Sequence, residues 1–318
     1  MGAKDRPLLT DSYSKVDDFI PEGGSAYLSG TSAEQRSEHA RAWESRAKNV
    51  EFIRVVEQNT TNFTVLLKGN DQRVSLRSES QLQNLLRNVD PSMLYIDITG
   101  LDHHVWAPLL RAALHVGKLV MGVYVEPSGY RFNANPMEGD IFDLSVRTKG
   151  ISPIPGFASL TESDEENVCF VPLLGFEGTR FAHIIEEVQP VDERVIPVVG
   201  VPGFMPQYPF HTYHGNQLPL MQTEAWRNVR FAIANCPFSL FYTLEDIAAD
   251  FPQSLLKIAP IGTKPHGLGA VLYALARPKH VELIYDHPIR KEARTEGSAR
   301  LLVYNVSSLP LSGGVSSR

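Results

Sequence analysis

The chain has 318 residues, of which 43% are hydrophobic, and it carries a net charge of −6. This length suits about two domains or one large α/β domain, and the acidic balance argues against duplex nucleic acid as a partner, because a duplex reader normally carries a dominant basic face. The two cysteines form no CxxC motif and no apolar run exceeds strand length, so we expect a cytoplasmic protein without a disulfide framework or a membrane span.

The first part of the chain alternates apolar segments of strand length with amphipathic helical segments. Residues 1–23 are polar and predict a leader outside the core. The predicted strands are residues 26–28, 50–56, 63–67, 93–98 and 119–125, and the predicted helices run from the first strand to about residue 48, around 82–86 and over 104–114. Apolar strands that alternate with helices are typical of a parallel sheet covered on both faces. We therefore predict a Rossmann-like half over residues 24–140.

A change of composition separates this half from the next. Residues 128–167 contain seven glycines and prolines and the acidic stretch 162–166, and within this range we predict a linker over residues 141–167. The alternation then resumes over a second predicted Rossmann-like half, residues 168–307, before a Ser/Gly-rich flexible tail, residues 308–318. In this half the predicted strands are 168–174, 195–199, 255–258, 281–285 and 301–306, the predicted helices are 179–188, 223–235, 244–251 and 267–276, and a long loop covers 201–220.

An internal repeat supports two related halves. Residues 97–114 align with residues 259–276 at an offset of 162. The aligned pairs are Gly100 with Gly262, His104 with His266, Leu110 with Leu272 and Ala112 with Ala274. The predicted fold class is therefore α/β, with mainly parallel Rossmann-like sheets, helices on both faces and two related halves. A single doubly wound sheet with similar strand–turn–helix units is the alternative.

The segment 261–269, with the sequence IGTKPHGLG, follows a predicted strand and opens a predicted helix. Gly262 allows a sharp turn and a close approach to a ligand, while the start of the helix offers backbone N–H groups and a positive dipole end. Lys264 adds a full positive charge. We predict that Gly262, Thr263, Lys264 and His266 bind phosphate. The alternative is an ordinary strand–helix turn in which the later glycines permit close packing.

The stretch Ile261-Gly262-Thr263-Lys264 resembles the Gly-Thr-Lys loop of CARF-type Rossmann domains, which sense cyclic oligonucleotides. The resemblance covers about a dozen residues, and Ala259-Pro260 stands where that loop usually has a Thr-Gly lead. This resemblance implies a sensor of nucleotide-like ligands.

Other predicted strand ends carry groups suited to the same kind of ligand, because ligands of parallel sheets lie beyond the carboxyl ends of strands. Gly175, Glu177 and Arg180 follow one such strand. Arg180 could fork onto a phosphate or pair locally with Glu177. Gly100, which aligns with Gly262 in the repeat, completes this set of predicted ligand-binding residues.

Acidic and histidine side chains at two further strand ends are candidates for sugar binding and for catalysis. Asp286 suits a ribose hydroxyl and Arg290 a phosphate, with a solvated charged turn as the alternative. Asp102 and His104 are candidate acid–base groups, although Asp102 also suits a helix N-cap, and either His103 or His104 is expected to pack in the core. No metal site and no dinucleotide-binding motif is predicted, so the cofactor stays unknown.

These patterns leave three functional hypotheses. The first is the binding or sensing of a nucleotide or another phosphorylated small molecule at the strand-end loops. The second is an enzyme that acts on a nucleotide or sugar phosphate with carboxylate and histidine acid–base catalysis. The third is a non-catalytic subunit of a larger assembly, in which the aromatic and proline-rich loop 201–220 contacts a protein partner.

Overall fold

Two large β-sheets, with helices between and around them, form the fold of this protein in the computed structural model. The structure describes residues 6–30, 32, 34–137, 140–142, 144–159 and 167–311. The acidic end of the predicted linker (160–166), the first five residues of the predicted leader and most of the predicted tail lie outside these described residues.

The described residues form twenty strands and eight α-helices. The strands are β1 (Thr10–Tyr13), β2 (Ser25–Gly30), β3 (Glu51–Gln58), β4 (Asn62–Leu67), β5 (Asn70–Ser75), β6 (Met93–Asp97), β7 (Leu119–Val125), β8 (Gly129–Tyr130), β9 (Phe132–Met137), β10 (Asp140–Phe142), β11 (Ser145–Thr148), β12 (Ser152–Pro153), β13 (Val168–Pro172), β14 (Val198–Gly200), β15 (Arg230–Ala232), β16 (Leu255–Ala259), β17 (Val281–Tyr285), β18 (Pro288–Arg290), β19 (Thr295–Glu296) and β20 (Leu301–Asn305). The helices are α1 (His39–Glu44), α2 (Glu79–Arg87), α3 (His103–His115), α4 (Gly178–Val188), α5 (Tyr208–Gly215), α6 (Gln217–Gln222), α7 (Pro237–Asp250) and α8 (Lys264–Ala276).

Eight of these strands form one mixed sheet in the order β1-β20-β7-β6-β2-β3-β4-β5. The pairs β7–β6, β6–β2 and β2–β3 are parallel, whereas β1–β20, β20–β7, β3–β4 and β4–β5 are antiparallel. The prediction of mainly parallel Rossmann-like sheets is therefore wrong. The physical reason lies in the connections, since only residues 59–61 separate β3 from β4 and a parallel crossover needs about a dozen residues or more.

A strand from far along the chain completes this sheet. β20 comes from the predicted second half, yet it lies between β1 and β7, with Val303 opposite Val123. β1 comes from the predicted polar leader and pairs with β20. The sheet thus uses residues from both sides of the predicted boundaries, and the division into the ranges 24–140 and 168–307 stays a prediction.

The second sheet carries most of the strands whose ends surround the candidate site. β13, β16 and β17 pair in parallel, β12 adds an antiparallel edge to β17, and β14 pairs in parallel with β15. Single parallel bridges from Phe170 to Val195 and from Leu173 to Val198 join β13 to the chain around β14. The carboxyl ends of these parallel strands therefore open toward one edge, where ligands of parallel sheets bind.

Helices α3 and α8 lie between the two sheets. Both are 13 residues long and buried on nearly all sides, as expected of a helix that has neighbours all round. Leu268 of α8 packs over Gly122 of β7, while His103 of α3 packs against Tyr285 of β17. A side chain in place of Gly267 would collide with His103, so glycine at this position permits the two helices to approach.

The region predicted as a long loop is partly helical. Residues 201–220 contain α5 and most of α6, and Pro209 stands in the first turn of α5, where its missing N–H costs nothing. The predicted helix over residues 223–235 is wrong, because a short 3-10 helix, Ala225–Asn228, and strand β15 occupy that range. Within the described ranges, none of the helices combines the length and the hydropathy that a membrane crossing requires.

Candidate functional site

A cleft with a cavity volume of about 70 Å³ lies at the carboxyl ends of the strands of the second sheet. The loops that follow β13, β14, β15 and β16 line it through Gly175, Gly203, Ala234 and Gly262, among others. Tyr124 of β7 belongs to the same lining. Both sheets therefore contribute to one concave surface.

Positive side chains dominate the charged lining of this cleft, although the chain as a whole is acidic. Among the described lining residues, the cations are Arg36, Arg180, Lys264, Arg290 and Arg294, and the acid is Glu177. The carboxylates of Glu34 and Asp286 stand behind the lining and pair with some of these cations. The net positive charge at the cleft is therefore smaller than the lining alone suggests.

Lys264 is the first residue of α8 and connects the loops of the two sheets. The hydroxyl of Thr263 caps the helix by accepting a hydrogen bond from the backbone N–H of His266 at 3.3 Å. The side-chain nitrogen of Lys264 donates to the carbonyl oxygens of Thr99 and Leu101 at 2.7 and 2.8 Å. Because these carbonyls belong to the loop between β6 and α3, Lys264 has a structural role as well as a charge.

Burial lowers the pKa of Lys264 to about 7. Asp102 and Glu34 oppose this shift, because a nearby negative charge favours the ammonium form, whereas Arg36 and Arg294 reinforce it. A lysine with this pKa changes between its ammonium and amine forms near neutral pH. A bound anion would favour the charged form and raise the pKa again.

Arg180 and Asp286 form a buried ion pair beside the cleft. Two guanidinium nitrogens donate to the two carboxylate oxygens at 2.6 and 2.7 Å, and the third donates to the carbonyl of Ile261 at 2.8 Å. Burial opposes ionisation of Asp286, but the charge and hydrogen bonds of Arg180 outweigh it and lower the pKa of this carboxyl. Arg180 therefore supports the loop that contains Gly262, and Asp286 lies behind the lining.

A second buried network joins Glu34, Arg36 and Arg294. Glu34 accepts hydrogen bonds from the Nε atoms of both arginines at 2.6 Å and from the hydroxyl of Thr295 at 3.0 Å. Arg36 also donates to the carbonyl of Val125 at the end of β7. Burial alone would raise the pKa of Glu34, but the two arginines lower it well below its usual range. The network holds two arginines at the edge of the cleft.

Arg290 has the longest polar contacts among the cations of the cleft. The hydroxyl oxygens of Ser145 and Tyr285 are both 3.4 Å from its guanidinium, and a carboxylate oxygen of Glu177 is 3.7 Å away. Good charge-assisted hydrogen bonds measure about 2.7–2.9 Å. The guanidinium of Arg290 is therefore the group best placed to turn toward an incoming anion.

Aromatic side chains form another part of the lining. They are Tyr124, Tyr130, Phe176, Phe204 and Tyr208. The ring centroid of Phe176 lies 5.3 Å from that of Tyr130 and 5.2 Å from that of Tyr208, both in edge-to-face contacts, and Phe176 stacks on Phe142 at 4.5 Å. Flat apolar surfaces beside positive charge suit a ligand that combines a planar ring with an anionic group.

A second cavity, with a volume of about 310 Å³, adjoins the cleft. Lys264, Arg290 and Arg294 line both spaces and form their shared wall. The other charged residues that line the second cavity are Lys149, Lys291, Glu34 and Asp102. The positive charge of the cleft therefore continues into a second open space.

The cleft brings together seven of the ten predicted ligand-binding residues. These are Gly175, Glu177, Arg180, Gly262, Thr263, Lys264 and Arg290. Of the other three, Gly100 packs against a neighbouring backbone, Asp286 lies behind the lining, and His266 is buried, with its Nε2 atom 3.1 Å from the carbonyl oxygen of Ile233. Burial lowers the pKa of His266 to about 4, so its ring is neutral near pH 7.

The two candidate catalytic residues have different surroundings. Asp102 is exposed at the N-cap of α3 and lines the second cavity. His104 is buried, its ring centroid lies 5.3 Å from that of His287, and burial lowers its pKa. Its neighbour His103 lines the second cavity and packs against Tyr285. Catalysis by Asp102 and His104 stays a prediction.

The segment 201–220, predicted to contact a partner, contributes to the cleft through α5 and the turn before it. Phe204, Tyr208 and Thr212 line the cleft, whereas Phe210 and Leu218 are exposed. The aromatic residues of this segment therefore include members of the candidate site, and a protein partner for its exposed face stays a prediction.

Sequence reasoning missed the network of Glu34, Arg36 and Arg294 that borders the cleft. Glu34 and Arg294 are 260 positions apart, and each lies in a charged stretch that reads as solvated surface. Glu34 and Arg36 follow a predicted strand and Arg294 precedes one. Many charged surface residues have such a position, so it does not identify a buried network. The approach of these charges becomes visible only once the strands of the first sheet are paired and the β8–β19 pair lies at its edge.

Metal binding gains no support from the part of the chain that the structure describes, where no three His, Cys, Asp or Glu side chains group closely enough to hold an ion. A scan against models of known protein families finds no match, and a search of curated proteins finds no significant relative. Function must therefore be inferred from the geometry of the cleft.

Proposed function

We propose that this chain binds a phosphorylated, nucleotide-like ligand in the cleft at the strand ends. The observation that carries this proposal is the presence of Arg290 and Lys264 beside Phe176 and Tyr208 in one concave space. Small-molecule sites usually combine an apolar and aromatic lining with a few convergent polar groups. The resemblance of the loop before α8 to a loop that senses cyclic oligonucleotides supports the same class of ligand.

The buried carboxylates near the cleft are compatible with anion binding. Glu34 and Asp286 hold arginines in fixed positions, and cations that are already fixed lose little side-chain entropy when an anion binds. Glu177 is different, because its carboxylate lies 3.7 Å from both Arg180 and Arg290. When an anion reaches Arg290, the Glu177 carboxylate has to turn away or accept a hydrogen bond from a ligand hydroxyl.

Replacing Arg290 with Gln is expected to lower the affinity for a phosphorylated ligand by about ten- to a hundredfold, the effect of losing about one charge-assisted hydrogen bond. Isothermal titration against inorganic phosphate, nucleoside mono- and triphosphates and cyclic dinucleotides identifies the ligand and measures this loss. Arg87→Gln, which removes an exposed arginine from α2, is the matched control and is expected to bind as the wild type does. The proposal fails if no compound in this panel binds, or if both variants bind with wild-type affinity.

Ligand binding is also expected to take up a proton at Lys264. Because burial holds its pKa at about 7 and a bound anion raises it, the complex carries more ammonium than the free protein above about pH 7. Affinity should therefore fall as the pH rises from about 7 to about 9, by at most about tenfold per pH unit. Titrations at about pH 8 in two buffers with different ionisation enthalpies report the uptake, and identical apparent enthalpies would contradict this prediction.

We propose the cytoplasm as the location of this activity. Cys169 and Cys236 are both buried free thiols, and proteins of reducing compartments rarely contain disulfides. A phosphorylated metabolite or nucleotide is also available to a protein there. Fractionation of cells that express a tagged chain tests the assignment.

A further inference from the structure

The side-chain nitrogen of Lys264 keeps one bonding position beyond its hydrogen bonds to the protein. Within the described residues these bonds go to the carbonyl oxygens of Thr99 and Leu101, at 2.7 and 2.8 Å. The two acceptors use two N–H groups, so the ammonium form keeps a third N–H and the neutral amine keeps a lone pair in its place. Because Lys264 lines both the cleft and the second cavity, a molecule in the open space can reach this position.

The surroundings of Lys264 favour the neutral amine to an unusual degree. Lys264 is the first residue of α8, where the positive end of the helix dipole disfavours a further positive charge. Burial and the charges of Arg36 and Arg294 act in the same direction, against Asp102 and Glu34, and the resulting pKa is about 7. A desolvated lysine beside other cations is a typical amine nucleophile toward carbonyl compounds.

The second cavity has room for a small polar molecule beside this amine. Its volume is about 310 Å³, and its lining includes the carboxylate of Asp102 and the hydroxyl of Ser32. Oxygen atoms of this kind accept hydrogen bonds from hydroxyl groups of a substrate. The Asp102 side chain is exposed and makes no capping hydrogen bond to α3, so its carboxylate can also transfer protons. Of the nearby charges that raise the pKa of Lys264, Asp102 has the largest effect.

We propose that Lys264 is a nucleophile that forms an imine with a small hydroxyaldehyde bound in the second cavity. The inference goes beyond the proposed function, since it assumes neither a nucleotide nor a phosphate group. Asp102 is the catalytic acid–base residue of this step, because it lines the cavity that contains the reacting atoms.

The step consists of an addition and a loss of water. The lone pair of the Lys264 Nζ atom attacks the carbonyl carbon and forms the C–N bond, while Asp102 transfers a proton from Nζ to the carbonyl oxygen. The resulting hydroxyl group takes up one further proton from solvent and leaves as water, and the C=N bond forms. The protonated imine keeps one N–H, so one of the two bonds to the carbonyls of Thr99 and Leu101 is kept and the other is released. Oxidation and reduction are not involved.

Reductive trapping of the full chain with glycolaldehyde and cyanoborohydride tests this proposal, because reduction converts the imine into a stable secondary amine. Peptide mass spectrometry measures the labelling rate of each lysine. At pH 7 Lys264 is expected to react at least about tenfold faster than the exposed residues Lys48 and Lys279, because exposed lysines in general are almost entirely ammonium at this pH. Equal rates would overturn the proposal.

Acetaldehyde tests the class of substrate, because it lacks the hydroxyl group of glycolaldehyde. The preference for Lys264 over Lys48 and Lys279 is expected to be smaller with acetaldehyde, since the polar lining then has no hydroxyl group to bind. An equal preference with both aldehydes would overturn the assignment of a hydroxyaldehyde.

The preference for Lys264 is also expected to shrink as the pH rises from about 7 to about 9. Above its pKa of about 7 Lys264 is already mostly amine and gains little, whereas exposed lysines in general gain about tenfold more amine with each pH unit. The ratio of the labelling rates of Lys264 and Lys48 in one sample measures this change. A ratio that stays constant would contradict a free amine at Lys264.

The variant Asp102→Asn separates proton transfer from an effect of charge. Loss of the carboxylate charge favours the amine form of Lys264 and by itself speeds labelling, whereas loss of the acid–base group slows it. The labelling rate of Lys264 is expected to fall by at least about tenfold, with the rate of Lys48 unchanged. Asp71→Asn, which removes an exposed carboxylate from β5, is the control and is expected to react as the wild type does. A rate at or above that of the wild type in Asp102→Asn would overturn the role given to Asp102.

Discussion

Replacing Asp286 with Asn is expected to lower the free energy of unfolding by about 3–5 kcal/mol, because it removes the hydrogen-bonded counterion of the buried Arg180 guanidinium and leaves only the Glu177 carboxylate at 3.7 Å. Asp286 is fully buried and accepts both hydrogen bonds of a bidentate pair, and the pair supports the loop that contains Gly262. Urea unfolding of the wild type and the variant measures the loss. The loop and the cleft should become disordered together, so ligand affinity falls as well.

The controls for this prediction use an exposed pair and a double variant. Asp90→Asn removes the partner of Lys68 from an exposed ion pair, in which the Asp90 side chain is 80% and the Lys68 side chain 50% exposed. This change should lower the free energy of unfolding by less than about 1 kcal/mol. Arg180→Met combined with Asp286→Asn should lower the free energy of unfolding by less than the sum of the two single losses. The double variant contains neither of the two buried charges, so no charge is left unpaired. A loss below about 1 kcal/mol for Asp286→Asn would contradict the role given to the pair.

The pH dependence of this effect follows from the pKa of Asp286. Arg180 lowers that pKa in the folded protein, so the pair stabilises the fold at neutral pH and loses its contribution as the pH falls through the lowered pKa. The difference in unfolding free energy between the wild type and Asp286→Asn should therefore narrow in acid. A difference that stays constant down to about pH 2 would indicate a packing effect without a charge contribution.

Replacing Gly100 with Ala is expected to lower the free energy of unfolding by about 3 kcal/mol, the upper end of the usual overpacking range. A Cβ atom at this position would overlap the backbone carbonyl of Gly30, which closes β2 in the first sheet. A backbone clash cannot be relieved by rotating a side chain, so the strand ends of β2 and β6 would have to separate. Thermal or urea unfolding measures the cost.

The matched control is Gly129→Ala, because among the described residues no atom beyond the chain neighbours of Gly129 lies within 4 Å of a Cβ added there. This change should alter stability by less than about 0.5 kcal/mol. The comparison also distinguishes the two roles considered for Gly100. If Gly100 contacted the ligand directly, Ala would reduce ligand affinity and leave unfolding close to that of the wild type.

Local sequence patterns predicted the strand–helix–strand units well. The predicted strand 93–98, helix 104–114 and strand 119–125 agree with β6, α3 and β7 to within one or two residues. Apolar runs and helical spacing determine these elements because each must bury one face or stripe. Helices α3 and α8 are buried on nearly all sides, whereas the sequence pattern predicted amphipathic helices with one exposed face.

The apolar and helical patterns did not predict whether neighbouring strands are parallel or antiparallel. A buried strand is apolar on both faces whether it runs parallel or antiparallel to its neighbours, so the apolar sequence of β20 fits either orientation. The short connections from β3 to β4 and from β4 to β5 were the available signal, because they cannot hold a crossover helix. Weighing connection length against the apolar pattern would have identified the antiparallel part of the sheet.

The candidate site was predictable only where it follows strands. The loops that contain Gly175 and Gly262 meet because their parent strands β13 and β16 are parallel neighbours. Arg36 and Arg294 come from segments whose approach depends on the pairing of the first sheet and on the position of β20. Long-range placement of this kind leaves no local trace, so these residues could not be found from their neighbours in sequence.

The position of β20 also governs how the protein matures on the ribosome. Residues 126–300 separate β7 from β20 in the sequence. The first sheet therefore lacks this interior strand until about residue 305 has been synthesised. During that interval β7 presents an unpaired edge to solvent, which is a hazard for association with other nascent chains. The sheet that starts earliest is thus finished last, after the strands β13 to β17 of the second sheet have been synthesised.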